Sequence, residues 1–149
     1  MTLEIKQLQS YVERNIPIAK AFEAKVLNIG EDTLTIAAPL AANINHKRTV
    51  FGGSLQAIAT LACWSLLHHK LRGSTDPGEI VITNSSIDYI TAVTGDFVAT
   101  ASLPNPERWQ QFLDLFNRRG KARLQLQAQI YQGEDLAVDY TGTFAAIKT

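Results

Sequence analysis

The stretch FGGSLQAIATLACWSLLHHKL, residues 51–71, decides how this chain folds. Leu55, Ile58, Ala59, Leu61, Ala62, Cys63, Leu66 and Leu67 fall on almost every side of a 3.6-residue spiral. A helix from about Gly53 to Leu71 with that pattern is buried all round, not laid on a surface. Its apolar run is interrupted by Gln56, Thr60 and Ser65 and falls short of the roughly 20 residues that cross a bilayer. The cluster Gly73–Ser74–Thr75–Asp76–Pro77–Gly78 then breaks it.

A helix with no polar face has to be wrapped, and its flanks supply the wrapping. Upstream, Thr2–Arg14 reads as a short amphipathic helix carrying Leu8, Tyr11 and Val12, ended by Ile16–Pro17. Ala19–Ile29 and Thr33–Ala38 read as a hairpin about Gly30–Glu31–Asp32. Downstream come strands at Glu79–Thr91, Phe97–Leu103, Ala122–Gln132 and Ala137–Ile147, with turns at Thr94–Gly95–Asp96 and Gly133–Glu134–Asp135. Between Leu103 and Lys121 lies a further helix, with Asn105 as N-cap and Pro106 at its first position. Its Trp109, Phe112, Leu113 and Phe116 share one face, expected to turn inward over the central helix's pocket. This order predicts one α+β domain over residues 1–149, a curved antiparallel sheet around a long central helix, which is the hotdog arrangement. Its edge strand predicts pairing with a second copy, as a homodimer or a dimer of dimers.

Composition narrows the function. Of 149 residues 46% are hydrophobic and 19% charged, a globular balance. Lys plus Arg and Asp plus Glu are 14 each, so no net field draws nucleic acid or an acidic membrane. One cysteine and three histidines leave no disulfide, no zinc spacing and no expected metal or cofactor. The first ten residues lack a basic-then-apolar leader pattern, so the expectation is a soluble cytoplasmic protein without membrane insertion.

The chemistry gathers in Asn43–Ile44–Asn45–His46–Lys47–Arg48–Thr49–Val50–Phe51–Gly52–Gly53–Ser54–Leu55. Two glycines at a helix start let a ligand approach the backbone, and the free N–H groups there can hold an oxyanion such as a thioester carbonyl becoming negative. The plain alternative is a tight loop entering a buried helix. Gln56 and Thr60, four apart, share a face beyond the glycines and either line a pocket or bond back to the helix. His46 is a loop histidine that reads as solvent-facing or as a general base. Asp88 differs in strand parity from Tyr89 and Thr91 and so faces the other side of the sheet. His68 and His69 read as structural, Cys63 as core, and Arg118, Arg119, Lys121 and Arg123 as a solvated turn or a phosphate contact.

The block from Asn43 to Leu55, with Trp64, Ile80–Val81, Tyr89, Gly95–Asp96, Gly120–Arg123 and Gly142, resembles the YiiD C-terminal-type thioesterase domain over nearly the whole chain. That resemblance implies a hotdog fold and thioester hydrolysis. The wider hotdog thioesterases similarly carry an Asn six residues before a His-Gly-Gly, and a carboxylate seven after the second Gly. Asn45, Gly52 and Gly53 match; Phe51 replaces the His and Thr60 the carboxylate, while Thr91 falls where some members place a water-holding Ser. Arg48 stands where a Gly is usual, and Ala92 where a Pro is usual. The candidate catalytic set is therefore Asn45, Gly53, Thr60 and Thr91, and the candidate substrate-binding set is Phe51, Gly52, Gln56 and Trp64. Two functional readings follow: an acyl thioesterase acting on acyl-CoA or acyl-carrier protein, and a non-catalytic acyl or acyl-CoA binding module. A dehydratase ranks last, because no His and acid pair sits on the helix.

Overall fold

The computed structural model describes residues 2–149. Six antiparallel strands form one sheet in the order β1-β2-β4-β5-β6-β3. They are β1 Lys25–Ile29, β2 Thr33–Ala38, β3 Glu79–Tyr89, β4 Phe97–Ser102, β5 Lys121–Gln132 and β6 Asp135–Ile147. Four helices accompany them: α1 Leu3–Asn15, α2 Ile18–Ala21, α3 Gly52–Arg72 and α4 Pro106–Arg119. The wrapped-helix arrangement expected from the sequence is the one observed.

Helix α3 packs against five of the six strands, β2 to β6. Ile58, Ala59, Ala62, Cys63, Leu66 and Leu67 are wholly buried in it. The strands answer with alternating buried positions, as in Ala122, Leu124, Leu126, Ala128 and Ile130 of β5. Many are alanines (Ala99, Ala101, Ala128, Ala137), whose small side chains let the helix approach the sheet closely. Truncating Leu66 to Ala in such a site would cost about 2–5 kcal/mol. No helix among the described residues is long and apolar enough to cross a membrane.

Two local readings need correction. Residues 19–24 are not strand: Ile18–Ala21 form a helical turn, Glu23 has positive φ, and pairing starts only at Lys25. The alternation of Phe22, Ala24 and Val26 imitated a strand running back through this segment, but Pro17 sets a helical φ and starts the turn instead. Helix α4 begins as expected, with the Asn105 side chain accepting from Arg108 N–H at 2.9 Å, and ends on Gly120 in the left-handed region. Phe112 and Phe116 are buried and Trp109 half-buried. However, α4 packs on β5, and none of its residues lines the cavity described below.

Candidate active site

One strip of α3 escapes full burial. Gln56, Ala57, Thr60 and Trp64 are half-buried while their neighbours are buried, because they face a cavity of about 520 Å³. The strip begins at Gly53, and the opposite wall comes from the α1–α2 corner (Ile16, Ile18, Phe22) and from Ile82, Ser85 and Phe144 of the sheet. That volume suits a small organic ligand, and the lining is mainly apolar with a few polar groups, the usual character of such a site.

The start of α3 is built to stay open. Helix α1 is capped by Thr2 and α4 by Asn105, but α3 has Phe51 at its N-cap and no side-chain cap. Ser54 and Leu55 donate to the Phe51 carbonyl at 3.0 and 3.1 Å. The N–H groups of Gly52 and Gly53 have no acceptor among the described residues. They are the orphan donors at the positive end of a 21-residue helix. Phe51 folds its exposed ring over Gly53, so any side chain there would collide with it. Tyr89 Oη donates to the Gly52 carbonyl at 3.0 Å and ties the helix start to the end of β3.

The preceding loop is locked by two asparagines. Asn45 Oδ1 accepts from the N–H of Lys47 (2.9 Å) and Thr49 (3.0 Å), and its Nδ2 donates to Thr49 Oγ1 at 2.9 Å. Its polar atoms are thus engaged within the loop, and it does not line the cavity in one chain. Asn43 is buried. Its Nδ2 donates to the carbonyls of Phe22 and Pro39, while its own carbonyl accepts from Phe51 N–H. It therefore joins the α2 wall of the cavity to the cap of α3. Arg48 has φ 65°, in the left-handed region that glycine takes without cost, which explains why a glycine suits that position.

Thr60 is the pivot of the polar strip. Its Oγ1 donates to the Gln56 carbonyl at 2.8 Å, the i−4 back-bond. Tyr140 Oη lies 2.8 Å from the same oxygen. Both contacts are met when Tyr140 donates to Thr60 and Thr60 donates to Gln56. Tyr140 is fully buried on β6, and burial pushes its phenol above the ordinary tyrosine range, with the Thr60 hydrogen bond opposing part of that rise. It is a neutral donor, not a base. Sequence reading missed it; the available signal was a tyrosine inside an apolar strand, whose hydroxyl requires a partner.

The candidate residues therefore divide. Gly53, Gln56, Thr60 and Trp64 line one cavity. Gly52 and Phe51 frame its helix start. Asn45 serves the loop, and Thr91 is exposed beyond β3, its N–H donating to Ala137 O at 3.3 Å. His46 is exposed, as the solvent-facing reading expects. Asp88 pairs across strands with Asp139, while Ile87 pairs with Tyr140, so Asp88 lies on the face away from the cavity. Burial pushes the Cys63 thiol up, which removes it as a nucleophile. No carboxylate lines the cavity, and no His, Cys, Asp and Glu cluster among the described residues could hold a metal. Within one chain the Arg118–Arg123 cluster lies far from Gly53. Lys121 registers through Ile147 to Glu79, the opposite end of β3 from Tyr89, about 33 Å away at strand rise.

Known proteins agree with this architecture. A Chlorobaculum tepidum protein of unknown function is 33% identical, with TM-score 0.92 over 97% of this chain and 94% of that one. A structure described as a putative thioesterase from Shewanella oneidensis is 25% identical, with TM-score 0.84 over 99% of each chain. A Haemophilus influenzae thioesterase shares the fold at 15% identity, with TM-score 0.75 over 99% of this chain and 93% of that one. The profile of the family described as "Putative thioesterase (yiiD_Cterm)" matches residues 5–148. With its open Gly52–Gly53 helix end, apolar cavity and sheet-wrapped helix, the chain belongs to this hotdog-fold thioesterase family.

Proposed function

We propose that the protein hydrolyses an acyl thioester carried by CoA or by an acyl-carrier protein. The observation that carries this reading is the uncapped start of α3, where the Gly52 and Gly53 N–H groups are free among the described residues and Gly53 lines an apolar cavity. The acyl chain lies in the cavity and the carbonyl oxygen sits against the Gly53 N–H. Water attacks the carbonyl carbon, and negative charge develops on the oxygen held by the helix end. The C–S bond then breaks, the acid leaves, and the proton released from water ends on the departing thiol sulfur. Gln56, Thr60 and Ser85 supply the polar atoms that place the water, and Tyr140 fixes the Thr60 hydroxyl.

No carboxylate drives this attack within one chain, so acceleration rests on positioning and on the oxyanion donors. Asn45 and Thr91 act on this reading as positioning residues for the loop and the β3 end. Lys47 and Arg48, exposed on the loop four to five residues before Gly52, are the cations best placed for phosphates of the carrier. The two copies of a homodimer, or of a dimer of dimers, join along β3. This is an edge strand of 11 residues, and Val81, Ile82 and Tyr89 on it are exposed. The work of the protein is cytoplasmic on this reading.

The second reading, an acyl or acyl-CoA binding module, draws on the same missing carboxylate and on the Thr60 proton already given to Gln56 O. Thiol release from a panel of acyl-CoAs and acyl-carrier proteins separates the two. Saturable release, lost in Gly53→Ala, supports hydrolysis. Tight binding of the same thioesters with no release supports the binding module.

A further inference from the structure

Successive turns of α3 line the cavity through Gly53, Gln56, Thr60 and Trp64, and there the cavity stops. One turn further, His68 lines a different depression, with Tyr11 and Arg72. Trp64 is the partition between them. Its Nε1–H donates to the Ile80 carbonyl of β3 at 3.0 Å, so the indole stands across the gap between α3 and the edge strand. Behind it the His68 ring stacks at 5.0 Å and 7° between planes, and Tyr11 of α1 stacks on His68 at 4.5 Å. A side chain bonded at its tip and backed by two rings from two helices is a fixed wall, not a flexible one.

We infer that Trp64 sets the length of the acyl group this site accepts, and that the substrates are medium, straight-chain acyl thioesters. The assignment rests on the thioesterase reading for the placement of the carbonyl at Gly53. Eleven residues separate Gly53 from Trp64, about 16 Å at helical rise. An extended chain advances about 1.25 Å per carbon at ordinary bond lengths, so about a dozen carbons reach the indole. Decanoyl and dodecanoyl groups fill the space; a palmitoyl group meets the indole and must fold back or leave its end outside. Removing the indole joins the cavity to the groove lined by Tyr11, His68 and Arg72.

The test pairs two readouts. Free fatty acids from butyric to palmitic are titrated calorimetrically into the wild type and into Trp64→Ala, Trp64→Phe and Tyr11→Ala, each checked for fold by circular dichroism. The same series of acyl-CoAs is assayed for thiol release. The wild type should bind dodecanoic acid at least tenfold more tightly than palmitic acid. Trp64→Ala should erase or reverse that preference, and Trp64→Phe and Tyr11→Ala should shift it partway. If Trp64→Ala does not fold, the other two variants carry the test. An unchanged chain-length profile in the folded variants, or no fatty-acid binding by any protein, overturns the assignment. Shifted binding without thiol release leaves the wall in place and refutes hydrolysis. Thiol release with an unshifted profile does the reverse.

Discussion

The Thr60–Tyr140 pair makes an asymmetric prediction about stability. In Tyr140→Phe the ring stays and only the hydroxyl goes; Thr60 Oγ1 keeps its bond to Gln56 O, so no buried atom loses its last partner. The cost is that of one neutral hydrogen bond, about 1 kcal/mol. In Thr60→Val the buried Tyr140 O–H loses the acceptor at 2.8 Å, and an unmatched donor in the core costs about 1–3 kcal/mol. Nearby Ser85 lowers that figure only if its hydroxyl can turn to accept. Thr60→Val should therefore unfold earlier than Tyr140→Phe, each kcal/mol moving Tm by about 2–4 °C for a domain this size. The double variant should cost about 1 kcal/mol less than the sum, because it removes donor and acceptor together. Urea unfolding followed by circular dichroism, with all four proteins at one concentration, measures this. Equal costs for the two single variants, or strict additivity, would refute the hydroxyl chain as drawn.

Other consequences are independent of that pair. Gly53→Ala should hold or raise stability by up to about 1 kcal/mol, since Ala favours helix, yet lower thioester hydrolysis at least about tenfold as the Phe51 ring is displaced at the oxyanion donors; melting curves beside initial rates check it. Thr60→Asp should raise hydrolysis at neutral pH by about tenfold or more, by placing a carboxylate where only a hydroxyl stands, and an unchanged rate in a folded variant would count against the site. Burial, then the neighbouring charges of Arg72 and His69, lower His68 from 6.5 to about 4. The unfolded state therefore binds more protons between those values. The contribution of neutral His68 to stability is full above about pH 6.5 and is lost toward pH 4, about 3 kcal/mol over that window. His68→Phe should flatten that slope in pH-dependent denaturation. Arg48→Gly, at φ 65°, should stabilise by about 0.5 kcal/mol as the relief of left-handed strain exceeds the glycine entropy cost, read from the denaturation midpoint.

The central helix was legible because a run apolar on every side has only one environment available to it, and the sheet followed from what such a helix requires. Its glycine start and the shared face of Gln56 and Thr60 were legible from spacing, and Trp64 from the family resemblance. The engagement of Asn45 was not legible, because composition does not say whether an amide faces a ligand or its own loop; in one chain its bonds run to Lys47 and Thr49. Tyr140 was invisible for a different reason: it lies 80 residues from Thr60, and only the register of β6 brings the two hydroxyls together. The α1–α2 wall was hidden because Phe22, Ala24 and Val26 alternate like a strand running back through residues 19–24, while Pro17 and the Asn43 side chain hold a helical turn there.

Hydrolysis itself is tested most directly by incubating purified protein with dodecanoyl-CoA in oxygen-18 water and weighing the products by mass spectrometry. The account predicts dodecanoic acid carrying one heavy oxygen, released in equal amount with free CoA, and at least about tenfold less of both from Gly53→Ala. Recovery of intact dodecanoyl-CoA bound to folded protein, with no heavy oxygen in any acid, would contradict it.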